Sequence, residues 1–241
     1  MNEYINTYKM VYECMREIGD ILTSFALSER KERSQLYGVM SLQLSKQNTK
    51  AIIVLLENRL YPSSLMILRN IFELFFNYQW VLRAGDIEKQ DERAIKLEGK
   101  AFRDIEKELN VMKEDSLSSN PIWTSAMYSE KEKYIEIIKS KYPELTININ
   151  GRISFCEPDE KSFEQKLNKI EKLKFYGIYR FTSAFVHPTP IIKDIILKNE
   201  ELDKTPLELL KPHLQECLDY CMFFIYGISH NLLVQLRNKD I

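Results

Sequence analysis

Only seven glycines and eight prolines punctuate the 241 residues of this chain. Both residue types interrupt periodic structure, so their scarcity favours long helices over many short strands and tight turns. The apolar pattern agrees. Ile5, Tyr8, Met15, Ile18, Ile21 and Leu22 recur at three- and four-residue steps, which predicts an amphipathic helix over about 4–29. A second helix is expected over about 31–60, with its apolar weight at Ala51–Leu56. A third begins at Pro62, whose missing N–H costs nothing in a first turn, and stops at Ala84-Gly85, where glycine can take the left-handed cap.

Downstream, the charged stretch over about 86–115 reads as a helix with one buried stripe and a broad wet face. After the break at Ser116-Leu-Ser-Ser-Asn-Pro121, another helix is predicted over about 122–141. Residues 143–162 are the least helical part, and 145–156 within them stand out. Thr146-Ile-Asn-Ile and Arg152-Ile-Ser-Phe-Cys156 flank Asn150-Gly151, a favoured two-residue hairpin turn, and a small β-hairpin is expected there. One continuous helix over about 163–186 halts at His187-Pro188-Thr189-Pro190, and a last one runs over about 207–237. The expectation is an all-α bundle of about seven helices forming a single domain over 1–241.

Hydrophobic residues make up 44% and charged residues 29%, enough to fill a core and solvate a surface. The formal net charge of −1 argues against non-specific coating of nucleic acid, which calls for a basic excess, and leaves room for a local cleft that grips RNA. Cys14, Cys156, Cys217 and Cys221 show no CxxC spacing and read as buried free thiols in a reducing compartment. The N-terminus lacks the basic start and apolar run of a signal peptide, and no stretch of about 18 uncharged apolar residues appears. A cytoplasmic location without membrane insertion is expected. Phe72, Phe75, Phe76, Phe223 and Phe224 stand at core spacing, while His213 and His230 do not share a helical face.

Two clusters could carry chemistry. Tyr179, Ser183 and His187 fall at i, i+4 and i+8, one stripe on a helix, and Arg180 lies seven residues before His187, about 20° from alignment. A guanidinium and an imidazole facing one pocket are what RNA cleavage by internal 2′-OH attack needs: His187 to exchange a proton, Arg180 to hold the phosphate. No metal or cofactor is expected, because the nucleophile is the substrate's own hydroxyl. The plainer reading is that His187 caps a helix end while Tyr179 and Ser183 pack. The second cluster, Arg69, Asn70, Glu73 and Asn77, interrupts a strongly apolar helix. Arg69 and Glu73 form an i,i+4 pair, and Glu73 could also orient His187 or Arg180 across the helix pair.

The stretch Ile178-Tyr-Arg-Phe-Thr-Ser-Ala-Phe-Val-His-Pro188, with Leu68-Arg-Asn-Ile-Phe-Glu73 upstream, resembles a bacterial helical family of unknown function with an "LR…E" helix and a later "Y…S…HP" helix end. The likeness spans roughly residues 30–235. More locally, Arg180-x6-His187 resembles the Arg-x4–6-His signature of HEPN domains, all-helical ribonucleases of bacterial defence and toxin–antitoxin systems. That resemblance implies a metal-independent endoribonuclease with Arg180 and His187 as catalytic pair, Glu73 as acidic supporter, RNA as substrate and a homodimer. Phe181 stands where that family often has Asn, and Thr189 where some members carry a nucleotidylated Tyr, so that mode of control is not implied. The alternatives are a non-catalytic helical module for a protein partner, or a small-ligand pocket built from Arg69, Glu73, Tyr179 and His187.

Overall fold

The computed structural model describes residues 2–28, 32–118 and 121–184, together with Asp219, Phe223, Tyr226, Gly227, Ser229, His230, Leu233 and Val234. Seven helices lie among them: α1 (Asn2–Ser28), α2 (Arg33–Glu57), α3 (Tyr61–Leu82), α4 (Ile87–Ser116), α5 (Ser125–Lys141), α6 (Phe163–Lys169) and α7 (Tyr176–Ala184). Between α5 and α6, β1 (Thr146–Ile149) and β2 (Arg152–Phe155) form a two-stranded antiparallel sheet. The all-α class and the small hairpin are as the sequence predicts. The chain divides into two compact units, Met1–Arg83 with Ser162–Ile241, and Ala84–Lys161. None of the described helices is long and apolar enough to cross a membrane.

In the first unit α2 packs against both α1 and α3. It does so through small residues: Ser34, Gly38, Ser41, Ser45 and Thr49 are all buried. Their spacing of three and four residues makes one seam on which neighbouring backbones can approach closely. The Ser41 and Thr49 hydroxyls donate to carbonyls one turn back, Tyr37 and Ser45, each at 2.8 Å, so they enter the core without losing hydrogen bonds. α3 buries Leu65, Leu68, Ile71, Phe72, Phe75, Phe76, Tyr78, Trp80 and Val81, apolar weight distributed round most of its circumference. Each large side chain so buried contributes ~1.5–3 kcal/mol relative to exposure. A Cβ on Gly227 would stand 2.8 Å from Cε2 of Phe75, so only glycine allows that approach.

The expected continuous helix over 163–186 is corrected. It is broken after Lys169, and a 3-10 turn at Leu173–Phe175 intervenes before α7. The break is a Schellman cap. Lys172 N–H donates to Leu167 O at 2.8 Å and Glu171 N–H to Asn168 O at 3.0 Å, while Glu171 takes φ 57°. A non-glycine residue fills the left-handed position, so no glycine marks the stop. α2 ends the same way: Arg59 has φ 58°, and Leu60 N–H donates to Leu55 O at 2.8 Å. At α3, by contrast, the expected glycine is in place, with Gly85 at φ 105°.

Other expectations need adjustment. α5 starts at Ser125 because the Thr124 hydroxyl accepts from Met127 N–H at 3.3 Å and caps it there, leaving Ile122 exposed. Ile21, expected on the buried face of α1, is exposed, and so are Phe223 and Cys14. Phe72, Phe75, Phe76 and Cys156 are buried as expected, whereas Phe224, His213, Cys217 and Cys221 lie outside the described residues.

The second unit has its own core: Leu109 and Met112 of α4, Ile135 and Ile138 of α5, Leu145, and Phe155 of β2. Asp86 caps α4, accepting from Lys89 N–H at 3.0 Å, and the Lys89 ammonium beside it holds the carboxyl below its usual range. The hairpin turns at Asn150 (φ 53°) and Gly151 (φ 81°), pairing Ile149 with Arg152 and Thr146 with Phe155. Gly99 lets α4 meet the chain at Cys156, where an added Cβ would sit 2.6 Å from both the carbonyl oxygen and Sγ.

Two stability effects are expected, readable from urea unfolding midpoints. Glu171→Gly relieves the left-handed strain and stabilises by ~0.5–1 kcal/mol, the strain relief exceeding the entropy cost of glycine. Gly99→Ala forces two backbones apart and destabilises by ~1–3 kcal/mol. A neutral Gly99→Ala would mean that Cys156 yields freely and that the close approach is not a constraint.

Candidate functional site

The polar groups of α3 lie on a stripe at Arg69, Glu73 and Asn77, one turn apart. α7 packs over its upper part and α6 over its lower part. Arg69 is the hub. Its Nε donates to Glu73 Oε1 at 3.0 Å, and an Nη donates to the Tyr179 hydroxyl at 2.8 Å. The guanidinium carbon also stands 4.8 Å from the Tyr179 ring centroid. The Arg69 and Glu73 side chains are 20% and 34% exposed, so water screens this pair only in part. Burial pushes the Tyr179 phenol above its usual range, Glu73 pushes the same way, and Arg69 opposes both. The phenol therefore stays protonated at neutral pH.

Aromatic rings hold Tyr179 in place. Phe163, at the start of α6, lies 4.5 Å from it between centroids, and Tyr176 stacks on it at 5.8 Å. Phe163 also contacts Phe72 and Phe76 of α3, and Phe175 reaches Phe76 at 5.3 Å. The position of Phe163 is set by the capping box of α6, in which Ser162 Oγ accepts from Gln165 N–H while Gln165 Oε1 accepts from Ser162 N–H.

The expected site residues separate into groups. Arg69, Glu73 and Tyr179 are brought together. Asn77 faces α6, where its Oδ1 accepts from Lys166 Nζ at 2.9 Å. Asn70, about 10 Å along the helix from Asn77, is exposed. Ser183 donates its hydroxyl to Tyr179 O at 2.6 Å, and the buried Thr182 donates to Ile178 O and Tyr179 O, so both hydroxyls are engaged by the backbone of α7. Arg180 is exposed, and among the described residues no ion pair or hydrogen bond joins it to Glu73. His187 lies outside the described residues.

Sequence reasoning passed over Lys166. It is only 4% exposed, and its ammonium stands 5.5 Å from the Trp80 ring. The available signal was its place among Phe163, Leu167 and Ile170, on the apolar face of a short helix, where a lysine needs a reason to be.

A model of the family of unknown function DUF5677 matches residues 43–204. The chain belongs to that family. The DUF5677 match runs from α2 through α7 and so includes Arg69, Glu73, Asn77, Lys166, Tyr179, Arg180 and His187. No curated protein and no solved structure matches the chain.

Removing the phenol oxygen in Tyr179→Phe leaves a half-buried guanidinium donor without its acceptor and is expected to cost ~1 kcal/mol in urea unfolding. Arg69→Met loses the ion pair, the hydrogen bond and the ring contact, and is expected to cost ~2 kcal/mol. A double-mutant cycle must show coupling between the two sites. Additive losses would mean that the contact contributes nothing of its own.

Proposed function

We propose that this protein is a metal-independent endoribonuclease of the HEPN-like kind, acting in the cytoplasm as a homodimer on RNA in bacterial defence or toxin–antitoxin biology. The observation that carries the reading is the bracing of α7. Arg69 and Glu73 grip Tyr179, the ring of Phe163 packs on it, and Thr182 is buried, so the rotation of α7 is set and Arg180 is left facing solvent. A cation presented from a fixed helix suits a scissile phosphate, since its orientation is established before substrate arrives. His187, seven residues further on, supplies the group that exchanges a proton near neutral pH. In this proposal Arg180 and His187 touch the substrate. Glu73, engaged by Arg69 and Tyr179, is a positioning residue.

In the proposed step the ribose 2′-oxygen attacks the adjacent phosphorus, the 5′-oxygen of the next nucleotide leaves, and a 2′,3′-cyclic phosphate results. His187 takes the proton of the 2′-hydroxyl and delivers it to the departing 5′-oxygen, which leaves as a hydroxyl, and Arg180 stabilises the charge that builds on the phosphoryl oxygens.

The engagement of Glu73 with Arg69 also suits the second reading, a helical module that binds a protein or small ligand without chemistry. One experiment separates them: incubation of the purified protein with mixed RNAs in excess chelator, with end analysis of any products. Cleavage leaving cyclic phosphate ends, reduced by ~10²-fold or more in Arg180→Ala and His187→Ala, is the expected result. Intact RNA, or cutting that persists unchanged in both variants, overturns the nuclease reading.

A further inference from the structure

The second unit carries a feature that the ribonuclease reading does not use. On α4, Arg103, Glu106, Lys107 and Asn110 fall at i, i+3, i+4 and i+7, one face of the helix. On the hairpin, Ile149 pairs directly with Arg152 across the turn, and Ser154, two residues on, shares the face of Arg152. These seven side chains line one hollow of about 260 Å³.

The two walls are tied at the base. Glu106, 9% exposed, accepts from Lys139 Nζ at 2.9 Å through one oxygen and from Ser154 Oγ at 3.0 Å through the other. Burial pulls Lys139 down, but Glu106 and Glu136 outweigh it, and the ammonium sits above its usual range. The Glu106 charge is thus neutralised from behind, and both of its oxygens are engaged.

Three cations line the hollow against that single compensated carboxylate. Arg103 meets Glu157 at 3.5 Å and donates to Phe155 O at 3.5 Å, both long contacts. Lys107 pairs with Asp104 where both side chains are more than half exposed, an arrangement that holds little. Arg152 is exposed, and among the described residues it makes no ion pair. Ile149, 42% exposed, adds an apolar wall beside them. Guanidinium groups and an ammonium converging on one hollow match the tetrahedral, multiply charged oxygens of a phosphate, and the apolar wall suits the body that carries it.

We propose that this hollow binds a small phosphate-bearing ligand, with Arg152 and Lys107 as the principal contacts to its oxygens and Ile149 against its apolar part. The site is built within the second unit alone and does not depend on the ribonuclease reading.

Calorimetric titration of the full chain with pyrophosphate at low salt tests it, with chloride at matched ionic strength as reference. Saturable binding is expected, weakened at least tenfold in Arg152→Ala and in Lys107→Ala. Both residues are exposed, so the fold is retained. The control is Lys50→Ala, an exposed lysine of the first unit whose loss changes net charge equally; it is expected to bind as the unaltered protein does. In the unaltered protein, pyrophosphate is expected to shift the amide resonances of Lys107, Arg152 and Ser154. Absence of saturable binding, an equal loss in Lys50→Ala, or amide shifts scattered over the whole chain overturns the proposal. Arg152-dependent binding of a short single-stranded RNA with no response to pyrophosphate overturns it in favour of a backbone contact.

Discussion

A helix buried round most of its circumference can carry charge only where a neighbour supplies the missing partner. α3 is such a helix, and Arg69, Glu73 and Asn77 break its apolar surface along one stripe. An unsatisfied buried polar group costs ~1–3 kcal/mol, more when charged, a sizeable part of the ~5–15 kcal/mol that holds a domain together. Elements packed on that stripe must therefore answer it. α7 does so with the Tyr179 hydroxyl, and α6 with Lys166, whose own burial is compensated by the Asn77 oxygen and the face of Trp80. The stripe thus selects which faces of α6 and α7 turn inward, something apolar contact alone leaves loosely specified.

The separation between structural and solvent-facing residues on α7 follows from this. Successive helical residues are about 100° apart, so a helix held through Tyr179 must direct Arg180 elsewhere. Thr182 and Ser183 return their hydroxyls to carbonyls of their own helix and make no demand on the surroundings. Of the four polar side chains Tyr179, Arg180, Thr182 and Ser183, the first anchors α7, the last two are satisfied within the helix, and Arg180 is left for solvent or a ligand. Engagement of Glu73 by both Arg69 and Tyr179 fits the same division, because a carboxylate already serving two donors is committed to orienting the helix.

Local rules were legible in the sequence, and long-range partners were not. Pro62, Gly85 and Asn150-Gly151 mark a helix start, a helix stop and a hairpin turn because each has a backbone preference that acts without help from elsewhere. The stop at Glu171 escaped for the complementary reason. Its left-handed conformation is held by Schellman hydrogen bonds and packing, and glutamate does not advertise that geometry; the same cap at Arg59 went unread too, but Pro62 marked the end of that helix. The Ser and Thr seam of α2 likewise hides in composition, since a hydroxyl bonded one turn back, as at Ser41 and Thr49, is as buriable as a methyl group but does not read as apolar. The Arg69–Glu73 pair was visible as an i,i+4 spacing. Its meeting with Tyr179, 110 positions away, entered only through the small-ligand alternative and not through spacing, and the selection of Asn77 over Asn70 by α6 was not visible at all. Those depend on which helices meet, which spacing within one segment does not encode.

The hairpin of the second unit illustrates how a marginal element becomes a rigid one. Two short strands are barely stable alone in water. Here Phe155 enters the α4–α5 core and stacks on Phe102 at 5.3 Å, so one end of β2 is fixed by apolar contact. One residue away, Ser154 ties the same strand to Glu106, and Glu106 to Lys139 of α5, a buried chain that would be costly to leave open at any link. Gly99 then allows α4 to lie directly against the backbone at Cys156. Apolar, ionic and steric constraints all act within three residues at the base of β2, whereas Arg152 and Ile149 project at the turn end, where none of them reaches. A strand clamped at its root offers the side chains at its tip in a defined place, and that gives an exposed arginine on a four-residue strand a reason to be more than solvated surface.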